Sequence, residues 1–230
     1  WSGYGWGVSA ASGGLNLVAL AFLYTALARG PVAVASPAAS SFTAMLVAMN
    51  ALAGEPVTAA GLAAVTLVVL GVVMLARPET GDLGRYDAAH LRLTALLGLG
   101  CAASVSLRFF LAQEAGDALG PTPALFLNRV FAALFALLWI GWEASGGRLR
   151  APARAVWPAV LLQAALETAA LFAFLTGSAA GGRVTAAIGF ATFPAFTALS
   201  AWLALGDRIG PRRALWMGAV VAGAALAALG

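Results

Sequence analysis

Glu167 is the residue whose position most needs a chemical reason. It stands ten residues into an apolar run that opens at Trp157. At about 1.5 Å per helical residue, a run of that kind carries it to the middle of a bilayer, too deep to snorkel out. A charge held there costs at least about 2.5–3.5 kcal/mol. Burial favours the neutral form of a lone carboxyl. Glu167 is therefore a candidate to contact a substrate amine or to exchange a proton. The plainer alternative is a permanently protonated Glu bonded to a neighbouring helix. Gln163 lies one turn earlier on the same face, and Ser12 and Asn16 form a similar pair in an N-terminal apolar run.

Other polar residues allow two readings each. Arg108 and Arg129 are expected near the ends of their helices on one side of the membrane, with Glu114 and Asp117 in the loop between. They are either snorkelling arginines paired with those loop carboxylates or an anion-recognising or gating pair. Glu55 and Asp207 sit at helix-connecting turns, where capping the next helix is the simpler role. Pro37 and Pro194 interrupt the second and seventh apolar segments. A proline frees a backbone carbonyl, which either lines a cavity or merely bends a helix. Gly189, Phe190, Thr192 and Phe193 flank Pro194, and Tyr24, Phe172 and Phe174 fall in neighbouring helices. These aromatics either line a cavity for apolar substrates or simply pack.

Several chemistries are excluded. The one cysteine, Cys101, and the one histidine, His90, rule out an intrachain disulfide, a thiolate cluster and a multi-histidine metal site. No cofactor is implied. There is no His-Glu-x-x-His, no serine and histidine sharing one membrane region, and no acidic pair at metal-ligand spacing, so an enzyme is not expected. A phosphate loop is absent, and all 13 basic residues are arginine. Any pumping must draw on a gradient. The isoelectric point near 10.2 does not imply nucleic acid, because the arginines sit singly or in small groups between apolar runs.

The elements that position these residues are set by composition. The chain has 230 residues, 62% hydrophobic and 10% charged, and a mean hydropathy of +0.92. A water-soluble fold could not bury so much apolar surface. Eight apolar segments follow one another, about 6–28, 31–53, 58–76, 91–112, 123–142, 157–176, 184–205 and 214–229. They predict an all-α polytopic membrane protein with lipid as its first partner. Strands are not credible, since the alternation of a barrel is absent. Trp6, Trp142, Trp157 and Trp216 lie near segment ends, where interfacial belts form. Glycine and alanine crowd the interiors, as close helix packing requires. No basic stretch precedes the first apolar run, so no cleavable signal is read, and the missing initial Met points to lost upstream residues.

The two ends of the sequence align without gaps at a shift of 152 positions. Gly30 falls on Gly182, Val32 on Val184, Ala35 on Ala187, Gly54 on Gly206, Glu55 on Asp207 and Gly71 on Gly223. Five spans lie within that shift, an odd number, so the two copies must point in opposite directions. Inverted repeats of this kind belong to secondary transporters, which bind substrate at mid-depth between the repeats. The stretches ALARGPVAVASP…LAGEPVTAAGLAAVTLVVLGVVML and AAGGRVTAAIGFATFPAFTALSAWLALGDRIG resemble the two halves of an EamA-like member of the drug/metabolite transporter superfamily. LFLNRVFAALFALL resembles the second helix of a half, with Arg129 at that family's arginine position. The resemblance implies ten helices in two inverted halves. Here residues 1–80 would be the first half with three visible helices, two being absent, and residues 91–230 the second half with all five. Asp207 stands where the family usually has Glu, and Phe42 where the second copy has Pro194.

These readings lead to a multi-pass protein of the inner (plasma) membrane. It is expected to move small metabolites such as amino acids or amphipathic compounds, as an exporter, by alternating access. A non-transporting scaffold or lipid-handling protein is the alternative, with a membrane-embedded enzyme the less favoured one. Its partners are a small-molecule substrate, the bilayer and, as the candidate coupling ion, protons; the sequence sets no oligomeric state. Arginines 29, 77, 85, 92, 148, 150, 154, 208, 212 and 213 fall on one side and only Arg183 in a loop on the other. The positive-inside rule makes the richer side cytoplasmic, while the family's usual topology implies the reverse.

Overall fold

The computed structural model describes residues 2–30, 32–75, 86–147 and 153–190, with the isolated helical positions 215, 216, 218, 219 and 222. Every described element is helical: α1 Gly3–Arg29, α2 Val32–Ser40, α3 Phe42–Leu52, α4 Ala59–Leu75, α5 Ala88–Leu119, α6 Pro121–Ser145, α7 Trp157–Gly181 and α8 Arg183–Phe190, with a 3-10 turn at Arg154–Val156 before α7. Among the described residues four helices are long and apolar enough to cross a membrane: Gly3–Arg29, Ala88–Leu119, Pro121–Ser145 and Arg154–Gly181. Ala38–Leu52 and Ala59–Gly71 are shorter apolar helices. The fold is an all-α polytopic membrane protein.

Local chemistry sets the helix ends. Ser2 caps α1 by accepting the Gly5 N–H at 3.1 Å, and Asp87 caps α5 by accepting the His90 N–H at 2.7 Å. A single residue, Gly120 at φ +86°, joins α5 to α6. Pro121 then occupies the first turn of α6, where its missing N–H costs nothing.

Two expected boundaries are corrected. The second apolar segment is two helices, and the break falls at Ser41, not at Pro37, which lies inside α2. The Ser41 hydroxyl donates to the Ala38 carbonyl at 2.7 Å. Its N–H reaches that same carbonyl at 3.4 Å, so the turn tightens there. The fourth segment runs on to Leu119. Glu114 and Asp117 are therefore in the last turns of α5, not in a loop, because other polar groups satisfy them at that end.

α5 is the spine. Tyr4, at the start of α1, donates to Glu114 near the end of α5 at 2.6 Å. At the other end Thr94 of α5 donates to the Gly30 carbonyl after α1 at 2.9 Å. α1 is thus antiparallel to α5. Arg108 and Gln113 of α5 meet Glu167 and Ser178 of α7 in that order, so α7 runs with α5 and opposite to α1. Two turns 152 residues apart share one geometry. Gly30 ends α1 at φ +63° with its N–H on the Ala26 carbonyl, and Gly182 ends α7 at φ +91° with its N–H on the Ser178 carbonyl.

Close approach explains some glycines and not others. A methyl at Gly98 on α5 would lie 2.6 Å from the Ala38 side chain and 2.9 Å from the Ala35 carbonyl oxygen. One at Gly13 on α1 would lie 2.8 Å from the Ala132 nitrogen of α6. Gly7, Gly141 and Gly177 face open space, so their number reflects composition.

Candidate functional site

Three helices bring one carboxylate and two guanidiniums together at mid-depth. Glu167 is ten residues into α7, Arg129 eight into α6, and Arg108 eleven before the end of α5. At about 1.5 Å per residue each stands roughly 12–17 Å from that helix end. Glu167 Oε1 accepts from Arg108 Nη2 at 3.1 Å and from Arg129 Nη1 at 3.3 Å. Arg129 Nη2 also donates to the Glu167 backbone carbonyl at 3.0 Å. Side-chain exposure falls from 42% at Glu167 to 25% at Arg129 and 8% at Arg108, so one side of the centre is open and the other closed.

This arrangement corrects the expectation for all three residues. Glu167 is not a lone carboxyl. Arg108 is not near a helix end and does not snorkel. Both arginines hold Glu167, and the carboxylates Glu114 and Asp117 serve another arginine. The Arg108 guanidinium also lies over the Phe109 ring, 5.0 Å from its centroid, a cation–π contact strengthened by desolvation.

Behind the centre is a buried polar joint. The Ser12 hydroxyl of α1 donates to the Arg108 carbonyl at 2.9 Å and accepts from Asn128 Nδ2 of α6 at 2.7 Å. Ser12 was expected to meet substrate; it is fully buried and committed to three-helix packing. Asn128 went unrecognised in the sequence. Its signal was an amide in the middle of an apolar run, beside the more conspicuous Arg129. Asn16, a turn along α1, is half-buried.

Other candidates fall away from the centre. Gln163 is exposed on α7, and Tyr24 is 57% exposed on α1. Phe174 and Phe190 pack with Phe42 and Phe109, their ring centroids 4.8–6.2 Å apart. That cluster is core rather than cavity lining. Thr192, Pro194 and Asp207 lie outside the described residues. An open apolar groove of about 1030 Å³ does exist, lined by Leu17 and Phe22 of α1, Leu107 and Leu111 of α5, and Phe135 and Trp139 of α6. None of the charged residues lines it.

A second ionic network closes the end of the bundle where α5 meets α6. Arg183, the first residue of α8, pairs with Glu114 at 2.5 Å, with Asp117, and with Glu55 at 3.5 Å. Gln113 donates to the Arg183 carbonyl at 3.1 Å and to the Ser178 hydroxyl at 3.2 Å. Glu55 was expected to cap α4; instead Thr58 does so, accepting the Gly61 N–H at 2.9 Å. Glu55 belongs to the α3–α4 turn and Arg183 to the α7–α8 turn, so the network ties the N-terminal helices to the C-terminal ones. At the opposite end His90 Nε2 lies 3.0 and 3.1 Å from the Arg29 and Gly30 carbonyls and donates to them.

The comparisons agree with this architecture. A solved crystal structure, 22% identical, superposes with a TM-score of 0.74 and covers 97% of this chain and 76% of its own. It shows the fold. No curated protein matches the chain significantly. The family model described as the EamA-like transporter family matches residues 92–229. With more than half of its length matched by that model, the chain belongs to the EamA-like transporter family, multi-pass membrane transporters of small molecules.

Proposed function

We propose that this chain is a secondary transporter that exports a small metabolite, an amino acid or an amphipathic compound, across the plasma membrane by alternating access. The observation that carries the reading is the Arg108–Glu167–Arg129 centre. Three charges gathered at mid-depth from three separate helices are expensive to keep in a membrane, and such residues mark substrate and ion pathways. The opposite senses of α1 and α7, and the matched turns at Gly30 and Gly182, support a pair of inverted halves that rock about that centre. The Arg183 network acts as the gate at one end. The Glu55–Arg183 ion pair, which joins the two halves, must part when that end opens, and the turns held by His90 and Thr94 lie at the other end.

Glu167 is also the group through which protons couple to transport. One of its oxygens, Oε1, accepts from both guanidiniums, so substrate that draws both arginines away releases the carboxyl to exchange a proton. Flux in proteoliposomes tests the reading. The full-length protein should accumulate or release radiolabelled solute only under an imposed gradient. Glu167→Gln should abolish the response to a pH gradient while counterflow of the same solute persists. An absence of flux for every solute in an amino-acid and organic-acid panel would sink the transport reading. Full pH-driven uptake by Glu167→Gln would sink the proton role alone.

A further inference from the structure

The centre carries more positive charge than it neutralises. Arg108 and Arg129 bring two positive charges and Glu167 one negative, which leaves a net charge of +1 among these spans. No other described carboxylate answers it. Glu55, Glu114 and Asp117 are committed to Arg183 at the end of the bundle, and Asp87 caps α5. Of the remaining acids, Glu79, Asp82, Glu143 and Asp207 fall in the sequence beyond or at the ends of apolar segments. The donors are likewise in surplus. Arg108 Nε and Arg129 Nε are buried and find no acceptor among the described residues. An unmet charged donor in a dry interior is costly, more so than a neutral one. Both guanidiniums lean on one oxygen, Oε1 of Glu167, whereas a guanidinium offers two parallel donors matched to an oxyanion.

We propose that this centre binds the anionic group of its substrate, a carboxylate or comparable singly charged oxyanion, which bridges Arg129 and Arg108 and competes with Glu167 for them. Arg129, the more exposed arginine, is where the anion lands. Arg108 holds it from behind. The inference rests on the reading of the centre as the transport site, and it adds a charge requirement to that reading: the solute carries a negative group, and a cation of the same shape is rejected.

Three probes with one carbon frame test it: phenylacetate, phenylacetamide and phenethylamine, with acetate and acetamide as a smaller pair. Binding to the purified full-length protein in detergent is measured by isothermal titration. The carboxylates should bind at least tenfold tighter than their amides, and phenethylamine more weakly still. Glu167→Gln should tighten phenylacetate, since it removes the competitor and raises the net charge of the centre to +2. Arg129→Gln should weaken phenylacetate tenfold or more and leave phenylacetamide unchanged. Arg129→Lys, which keeps the charge but loses the fork, should fall between. Equal binding of acid and amide overturns the proposal, as does preference for the amine, weaker phenylacetate binding in Glu167→Gln, or carriage of some other solute by a protein that binds no carboxylate. Anion-selective binding without flux in proteoliposomes would uphold the anion site and sink the transport reading.

Discussion

A single hydroxyl shows how polar residues are used inside this bundle. Ser12 stands between the Arg108 carbonyl and the Asn128 amide and links three helices. Ser12→Ala leaves the Asn128 donor without its acceptor in an apolar interior. The expected cost is about 1 kcal/mol, within the range seen for hydrogen bonds between membrane helices. A drop in the melting temperature of the purified protein, with no comparable drop for Gln163→Ala, checks this, because Gln163 is exposed. The contrast also shows what was legible at this scale. Depth along an apolar run was enough to single out Glu167, since a carboxylate ten residues from the helix start is too deep to snorkel to the interface. Its partners were not legible. Hydropathy ends the fourth segment near residue 112, where Gln113, Glu114 and Asp117 begin, and that boundary moves Arg108 from mid-depth to a helix end. Only tertiary contacts reveal that Arg183 satisfies those acids and lets α5 continue to Leu119.

Between elements, the decisive quantity is how near one backbone comes to another. Gly98 lets α5 press against α2, and a side chain there would meet the Ala35 carbonyl oxygen, which cannot swing aside. Gly98→Ala is expected to lower stability by about 1–3 kcal/mol, the usual cost of overpacking. Gly141→Ala on α6 meets nothing and should be neutral or stabilising, since alanine is the better helix former. Thermal unfolding of the two variants in the same detergent separates them; equal losses would mean that backbone conformation, not packing, sets the need for glycine. A sequence rich in glycine and alanine permits such contacts at many places, and periodicity does not say which glycine faces a neighbour. The turns were easier to read. Gly30 and Gly182 were paired by the 152-residue shift, and both end a long helix in the left-handed region that glycine tolerates. Pro37 was a poorer guide, because the neighbouring Ser41 hydroxyl decides where that helix breaks.

At the scale of the molecule, alternating access requires that one end loosen as the other tightens, and the two ends are built differently. One is held by ion pairs around Arg183 and the other by hydrogen bonds from His90 and Thr94 to the carbonyls beside Gly30. Removing the ionic hub should therefore bias the whole equilibrium rather than fray one corner. The sole cysteine, Cys101, is buried, so a Cys101→Ala background provides a clean reporter. Ala115 is 1% exposed near the ionic end and Ala26 fully buried near the other. In that background, Arg183→Gln should speed labelling of Ala115→Cys by a water-soluble maleimide several-fold and slow labelling of Ala26→Cys. A shift of 1.4 kcal/mol in the equilibrium is a tenfold change in population, within reach of a network whose Glu55–Arg183 pair spans the two halves. The reciprocal pair of changes is what distinguishes rocking from local melting. If both positions label faster, Arg183 is only a staple at that end. If neither changes, the network is not the element that the two states exchange.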